Sequence, residues 1–302
     1  MRTRDVTDLK GTAPATTGRE SPESFAGRWE AWHGRHEGII GDRHGFLSIT
    51  NIHWLDAEPR RFPDAPGAWS SDADGVRVEL GAGEQLVVDE ADRDGTYRFG
   101  VIPERASRFA YWGENAVEVA KRGGHDLIRP RHPSNPLRLA YAGTPAYQPD
   151  ERWALSGRYQ PFPEPRPTTV GAAVEGLEHV YNAVGQVEFS LDGSQLRLTA
   201  FPGPHKGELL VLFTDTTSGV TTYAANRSLV LDPGPDGSVV VDFNRAVNLP
   251  CAYTDLATCP LPPAENRLPV AIEAGERIPR ERLDPAVRQT PVPPVPISKA
   301  AP

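Results

Sequence analysis

Two cysteines in the C-terminal half are the first residues whose type and spacing could do chemistry. Cys251 and Cys259 enclose the segment AYTDLAT, a spacing that fits neither a CxxC redox motif nor a common zinc knuckle. The thiols could close a local disulfide, bind a metal together with a histidine such as His44, His53 or His179, or pack as small hydrophobic groups. Because no H-x₃₋₅-H pair supplies further ligands, packing is the favoured interpretation and no cofactor is predicted. Cys251, Cys259 and His179 remain the alternative metal site.

A second group of candidates lies in two polar motifs, FTDTTSGVTTYAANRSL and DFNRAVNLP. Tyr223 and Arg227 are four residues apart on a predicted strand, so their side chains should share one face. A guanidinium on such a face suits a carboxylate or a phosphate. The predicted ligand-binding residues are Tyr223, Asn226, Arg227, Asn244, Arg245, Asn248, Glu265 and Asn266. In the structural alternative, the amides brace loop backbone and Glu265 forms a buried ion pair with Arg245 or Arg227.

These candidates need elements to position them, and the first is a helix over about residues 22–40. Ser21 followed by Pro22 predicts its start. Apolar and aromatic residues then recur at helical spacing, namely Phe25, Trp29, Trp32, His36 and Ile39. His33 and His36 lie three apart and could share a metal, although histidines on a helix flank are more often packed or solvated.

The rest of the chain predicts β-structure. Short alternating runs separated by Asp-Gly and Gly-Gly turns predict antiparallel strands. The first series begins with a buried strand and turn within 46–55. Its further predicted strands are 76–80, 85–89, 96–102, 116–122 and 125–131. The second series is 153–159, 185–193, 195–201, 208–215, 221–231, 238–244 and 268–274, with PFPEPRP as a polyproline-like connection.

Together these patterns predict a mostly β protein, an antiparallel barrel or sandwich built from two β series with one N-terminal amphipathic helix. The predicted domains are a disordered tail over 1–20, the helix and first series over 21–160, the second series with the polar motifs over 161–282, and a Pro-rich tail over 283–302. Whether the two series form one body or two lobes stays open.

Composition limits the partners. The net charge of −8 comes from interspersed residues without a basic stripe, which argues against nucleic acid. No apolar run approaches the roughly 20 residues that span a bilayer, and the first 20 residues lack the apolar region of a secretory signal. We therefore expect a cytoplasmic protein with a small-molecule ligand and no membrane partner. Its oligomeric state is not predicted.

The polar motifs also carry a resemblance. The segments FTDTTSGVTTYAANRSL and DFNRAVNLPCAYTDLATCPLPPAENRLPVAIEAGE, with WHGRHEGIIGDRHGFLSITNIHWL and GHDLIRPRHPSNP, resemble the bacterial family catalogued as domain of unknown function 1684, over about residues 25–280. The resemblance implies an all-β body whose distinctive polar residues gather in the two C-terminal motifs. It implies no reaction.

Three functions compete at this point. The favoured one is a β protein that binds a small polar or anionic ligand near Tyr223 and Arg227. The alternatives are a metal- or thiol-dependent enzyme, hydrolase-like, that uses Cys251 and Cys259 with a histidine, and a structural or interaction protein. A nucleophilic cysteine would need a base and positive surroundings, for which His179 and Arg245 are candidates. No GxSxG, P-loop, GxGxxG or HExxH motif is present.

Overall fold

The computed structural model describes residues 24–282, in which one long helix, α1 (Phe25–Ile40), precedes antiparallel β-sheets. The helix prediction is confirmed, with Ser24 as the N-cap: its side chain accepts a hydrogen bond from the backbone N–H of Gly27 at 2.9 Å. The predicted start at Ser21 and Pro22 lies outside the described residues, as do both predicted tails. Ile39, expected on the packed face, is 71% exposed, and Ile40 is buried instead.

The first β series forms an N-terminal lobe of two sheets. Its strands are β1 (His53–Trp54), β2 (Arg60–Phe62), β3 (Ala65–Asp72), β4 (Gly75–Glu79), β5 (Leu86–Val88), β6 (Ala91–Arg93), β7 (Thr96–Gly100), β8 (Ser107–Trp112), β9 (Asn115–Arg122) and β10 (His125–Arg131). One sheet has the order β1-β10-β9-β8-β5-β6 and the other β2-β3-β4-β7. Trp69, Val78, Val119 and Ile128 pack between them. The lobe is therefore sandwich-like and does not close into a barrel.

The second β series forms one seven-stranded sheet, ordered β16-β11-β12-β13-β14-β15-β17. Its strands are β11 (Ala154–Gly171), β12 (Glu178–Leu191), β13 (Ser194–Pro202), β14 (Leu209–Phe213), β15 (Arg227–Leu231), β16 (Ser238–Asp242) and β17 (Val247–Asn248). Short helical segments connect the elements of both lobes: α2 (Pro136–Ala140) and 3₁₀ turns at Phe46–Ser48, Glu151–Trp153, Phe243–Arg245, Pro250–Ala252 and Ala264–Asn266.

Strand β11 corrects the expected polyproline connection. The PFPEPRP segment continues the strand and pairs with β12, with a register shift between Pro161 and Arg166. Its prolines occupy alternate positions, so they remove N–H groups from only one edge of the strand and leave the other edge free to pair. The domain boundary expected at 160/161 falls inside this strand.

The predicted last strand, 268–274, is wrong. This segment forms no strand, although Leu268, Ile272 and Ala274 pack into the core of the seven-stranded sheet. The Arg227 guanidinium donates to the carbonyls of Ile272, Ala274 and Glu276. Because these carbonyls already have donors, the segment does not need a neighbouring strand.

The two lobes meet through a shared apolar cluster. Trp54, Ala120 and Leu127 of the first lobe pack with Leu177 and Leu256 of the second. Leu256 belongs to the segment that follows β17, so that segment crosses the junction of the lobes. Among the described residues, no helix is both long and apolar enough to traverse a lipid bilayer.

Candidate functional site

Arg227, the centre of the predicted ligand site, is neutralised inside the protein. It is 1% exposed, and its Nη2 donates to Oδ2 of Asp215 at 2.8 Å. The backbone carbonyls noted above take its remaining Nη donors. Burial lowers the pKa of Arg227 and the Asp215 carboxylate opposes that effect. Tyr223 does not share a strand face with it, because β15 begins only at Arg227, and the Tyr223 hydroxyl donates to the carbonyl of Cys251 at 2.8 Å.

All four predicted amides brace backbone, Asn248 by donating to the carbonyl of Arg277 at 2.8 Å. Asn226 donates to the carbonyl of Pro260 at 2.6 Å. Asn244 exchanges two hydrogen bonds with the backbone of Asp150, each of 2.9 Å. Asn266 is fully buried and bonds to both backbone groups of Thr199. These contacts match the structural alternative.

The ion pair expected for Glu265 does not form. Arg245 lies 3.3 Å from Asp242, Arg227 pairs with Asp215, and Glu265 accepts from the hydroxyl of Thr199. Asn248, by contrast, adjoins a group of chemical interest: its backbone N–H donates to Oε2 of Glu276 at 2.6 Å. Neither cavity described below is lined by Tyr223, Asn226, Arg227, Asn244, Arg245, Asn248, Glu265 or Asn266.

The cysteines are free, buried and adjacent. The backbone N–H of Cys251 donates to Sγ of Cys259 at 3.3 Å. A hydrogen bond from Cys259 lowers the pKa of Cys251, and the same bond raises the pKa of Cys259 well above its ordinary value. Nε2 of His179 donates to the carbonyl of Thr258 at 2.8 Å. Within residues 24–282 the cysteines and His179 do not form a three-ligand metal group.

Positive charge accumulates instead at the junction of the lobes, around a cavity of about 320 Å³ that we call the arginine cavity. Strands β9 and β10 and the turn before β8 supply its basic wall, and the loop after β17 covers the opposite side. Its lining comprises Phe46, Ile49, Arg105, Arg122, Arg129, Arg131, His179, Tyr181, Leu249, Pro250, Ala257, Thr258, Cys259 and Pro260.

Three of these arginines share one carboxylate. Glu118 is 3% exposed and accepts from Arg129 at 2.7 Å, from Arg122 at 3.3 Å and from Arg131. Burial alone would raise the pKa of Glu118, but Arg129 and Arg131 outweigh it and hold the pKa far below its ordinary value. Glu118 is therefore ionised, and it can neutralise only one of the three guanidinium groups.

The mouth of the cavity holds a fourth arginine. Arg105 is exposed, lies 4.1 Å from the ring centroid of Tyr181, and has no carboxylate partner among the described residues. Its φ of 67° is in the left-handed region, which costs a non-glycine residue about 1–2 kcal/mol. Glu104 lies at the rim, 3.8 Å from Nδ1 of His179. Burial would raise the pKa of Glu104, but bonds from His179, Gly124 and Gly123 lower it to about 2.

A larger cavity of about 940 Å³ opens in the N-terminal lobe, but its charges are paired with one another. Arg61 donates to Glu84, and Oδ1 of Asp64 accepts from Nε2 of His53 at 2.7 Å. Arg131 lines this cavity as well, from the end of β10. Because its other charged groups already have partners, this cavity offers an ionic ligand fewer unpaired charges than the arginine cavity does.

A third concentration of polar groups lies under helix α1. Ligand atoms of His33, Glu37 and Glu276, which we call the His–Glu cluster, all lie within 4.8 Å of one another. His36 lies beside them, with Nε2 at 3.1 Å from Oε1 of Glu276. Within the described chain, this is where His, Cys, Asp and Glu side chains meet in a group of three or more.

The sequence contained signals for both places. Glu118 interrupts an apolar strand, AVEVAKR, and Arg129 and Arg131 sit at alternate positions of HDLIRPR, so they share a face. Charges inside strands that are otherwise buried indicate a polar interior. Glu37 follows His33 by four residues, which places both on one side of the helix. Glu276, at the end of the C-terminal motif, gave no local signal of its partners.

Comparison with known proteins identifies a family from the C-terminal half of the chain. The family model described as "Protein of unknown function (DUF1684)" matches residues 139–277. The solution NMR structure of an uncharacterized protein from gene locus rrnAC0354 of Haloarcula marismortui is 32% identical, covers 46% of this chain and 78% of its own, and has a TM-score of 0.40. No curated protein matches the chain.

Proposed function

The chain belongs to the DUF1684 family of proteins of unknown function, and we propose that this member binds a small organic anion, a carboxylate or a phosphate ester, in the arginine cavity. The observation that supports the proposal is the imbalance of charge there. Arg122, Arg129 and Arg131 share the single carboxylate of Glu118, so two of these three largely buried positive charges are left over. A buried charge without a partner is costly, and an anionic ligand would supply that partner.

The geometry of the donors supports the same class of ligand. A guanidinium group presents its N–H donors in a plane that matches two oxygens of a carboxylate or phosphate. The Nε atoms of Arg129 and Arg131 are buried without a hydrogen-bond partner. Since one lobe supplies the arginines and the other the covering loop, a bound anion would bridge the two.

The remaining lining favours an organic anion over a bare inorganic ion. Phe46, Ile49, Leu249 and Pro250 form apolar wall next to the arginines, and about 320 Å³ is at the lower end of the size of small-molecule pockets. Cys259 faces the same space, but its raised pKa keeps it protonated. Binding, without a thiol nucleophile in the cavity, is therefore the function proposed.

The test uses the full chain and measures binding by calorimetry and by the shift in melting temperature. The probes are inorganic phosphate, succinate and, as a neutral control, succinamide. We expect the two anions to bind and raise the melting temperature at constant ionic strength, and succinamide to do neither. The relative affinities for phosphate and succinate then decide whether the ligand is a phosphate ester or a carboxylate.

Arg105→Gln is the decisive variant, because Arg105 is exposed and outside the Glu118 network, so its loss should not disturb folding. Loss of a charged hydrogen-bond donor should weaken anion binding about 10- to 100-fold. Arg197→Gln on the exposed face of β13 changes the net charge equally and should leave binding unchanged. Equal binding by both variants, or no binding by the unaltered chain, would overturn the proposal.

We also propose that the protein works in the cytoplasm with a small-molecule partner. Two neighbouring thiols that are not joined as a disulfide are typical of a reducing compartment. The net charge of −8 and the grouping of four arginines around a cavity support a small ligand over nucleic acid.

A further inference from the structure

The geometry points to a binding site for a divalent transition metal in the His–Glu cluster, with His33, Glu37 and Glu276 as its ligands. This inference rests on different residues from the anion proposal and does not depend on it. Imidazole nitrogen together with carboxylate oxygen is a ligand set typical of zinc and its first-row neighbours.

The spacing of the ligand atoms fits such an ion. Nε2 of His33 lies 3.4 Å from Oε1 of Glu37, and all three ligand atoms lie within 4.8 Å of one another. Around tetrahedral zinc, with bonds of about 2.0–2.1 Å, neighbouring ligand atoms are about 3.3–3.5 Å apart. Only small rotations of the side chains are therefore needed to complete the site.

Glu276 supplies the observation that indicates a missing cation. The residue is 1% exposed, and Oε1 has no hydrogen-bond partner. Nε2 of His33 is likewise buried and without one. A buried carboxylate oxygen is normally satisfied by a donor or a cation. Among described residues, the only basic side chain within ion-pair distance of Glu276 is the partly exposed His36.

The other oxygens of the carboxylates are held by the protein, as the outer partners of metal ligands usually are. Oε2 of Glu37 accepts from the Tyr141 hydroxyl at 2.5 Å and from the backbone N–H of Thr144 at 3.2 Å. Burial and the Glu37 carboxylate raise the pKa of Tyr141, so the phenol remains a donor. Oε2 of Glu276 accepts from the backbone N–H of Asn248. Each carboxylate thus has Oε1 beside a histidine, and Oε1 of Glu37 accepts in addition from the backbone N–H of Thr144 at 3.3 Å.

The backbone also fixes Glu276 in place. Gly275 has a φ of 74°, and a Cβ there would lie 2.5 Å from the carbonyl oxygen of Ala246. The neighbouring carbonyls of Ala274 and Glu276 are held by Arg227. The internal ion pair of Arg227 therefore contributes to the site indirectly, by anchoring the segment that presents Glu276.

On the other side, aromatic rings hold the histidines. The ring of His33 stacks on Trp29 with centroids 4.5 Å apart, and that of His36 stacks on Trp32 at 5.6 Å. Trp29 donates from Nε1 to the carbonyl of Asn244 at 2.7 Å, which ties the helix to the second lobe. The side chains that would bind the metal are thus restrained from both sides.

The experiment titrates Zn²⁺, and Co²⁺ as its coloured substitute, into the full chain freed of metal with a chelator. We expect equimolar binding, visible absorption of the Co²⁺ form typical of low coordination number, and a higher melting temperature with Zn²⁺. Glu276→Gln and His33→Gln should each weaken binding more than 100-fold. His36→Gln, beside the ligands, should weaken it about 10- to 100-fold, the usual effect of an outer partner.

The matched controls are Glu175→Gln and His205→Gln, which alter exposed residues of the same types and should leave binding unchanged. Glu276→Gln also removes a buried charge, so the metal-free variant should melt no lower than the unaltered chain while losing its response to Zn²⁺. A variant that melts lower but still responds to Zn²⁺ would assign Glu276 a purely structural role and overturn the proposal. If Glu276→Gln does not fold, metal binding is measured with His33→Gln, which lies on the partly exposed helix. Equimolar Zn²⁺ binding by that variant would also overturn the proposal.

Discussion

Arg227 and the arginines of the arginine cavity lie in the same protein under opposite conditions. Arg227 has its own carboxylate, Asp215, and three backbone carbonyls around one guanidinium. In the cavity, Arg122, Arg129 and Arg131 share Glu118. In the first arrangement the chain itself neutralises the charge, and of the guanidinium donors only Nε of Arg227 is left without a hydrogen-bond partner. In the second, the number of positive groups exceeds what the chain can neutralise.

The difference separates a structural arginine from a binding one. Arg129 of the cavity is buried, as Arg227 is, so burial and residue type do not distinguish the two kinds. What distinguishes them is the balance between charges and partners at each place, together with free space for a ligand. By the same criterion Glu276 is a candidate binding residue, because its Oε1 is buried without a hydrogen-bond partner.

The largest effect is expected from Asp215→Asn. The change leaves the Arg227 charge buried without its carboxylate, which should cost about 3–5 kcal/mol in the free energy of unfolding. Added phosphate or succinate should not restore stability, because Arg227 does not line the cavity. The measurement is urea unfolding with and without anion. Asp255→Asn, which breaks the exposed pair with Arg282, should cost at most about 1 kcal/mol.

Glu118→Gln should lower the free energy of unfolding by less, about 2–3 kcal/mol. Its loss leaves three arginines without their carboxylate, but anions from the solvent can reach them. Here added phosphate or succinate should recover part of the loss, in contrast to Asp215→Asn. The comparison is made by urea unfolding at equal ionic strength, with chloride as the reference salt. The distinction between the two regions fails if anions rescue both variants equally, or rescue neither.

Much of the fold could be predicted from the sequence because its signals are local. Alternating runs bounded by Asp-Gly turns gave most strands, and the amphipathic spacing gave helix α1. The errors arose where distant groups decide the structure. The segment 268–274 alternates like a strand, but the Arg227 guanidinium occupies its carbonyls. The proline-rich part of β11 pairs with a strand that the local pattern does not reveal.

The candidate sites were harder to predict from the sequence, because they too depend on contacts between distant groups. Polar motifs near Tyr223 and Arg227 suggested a ligand, but the partner that neutralises Arg227 is Asp215, 12 residues earlier in the chain. In the His–Glu cluster, Glu276 meets a helix more than two hundred residues earlier in the chain. Residue types indicate which groups could act, whereas the count of partners depends on contacts between distant segments.

The smallest effect is expected from Glu104→Gln, at the rim of the arginine cavity. The pKa of Glu104 is about 2 in the folded protein against an ordinary 4.5, so ionised Glu104 stabilises the fold above pH 4.5 and loses this effect as the pH falls toward 2. Because the side chain is 34% exposed, solvent screening limits the contribution to about 1 kcal/mol. Glu104→Gln should therefore lower the unfolding free energy near neutral pH by that amount, and the difference should vanish in acid. Glu90→Gln, at an exposed turn, should show no such pH dependence. A pH-independent difference for Glu104→Gln would mean that its hydrogen bonds to Gly123 and Gly124, and not its charge opposite His179, stabilise this edge of the cavity.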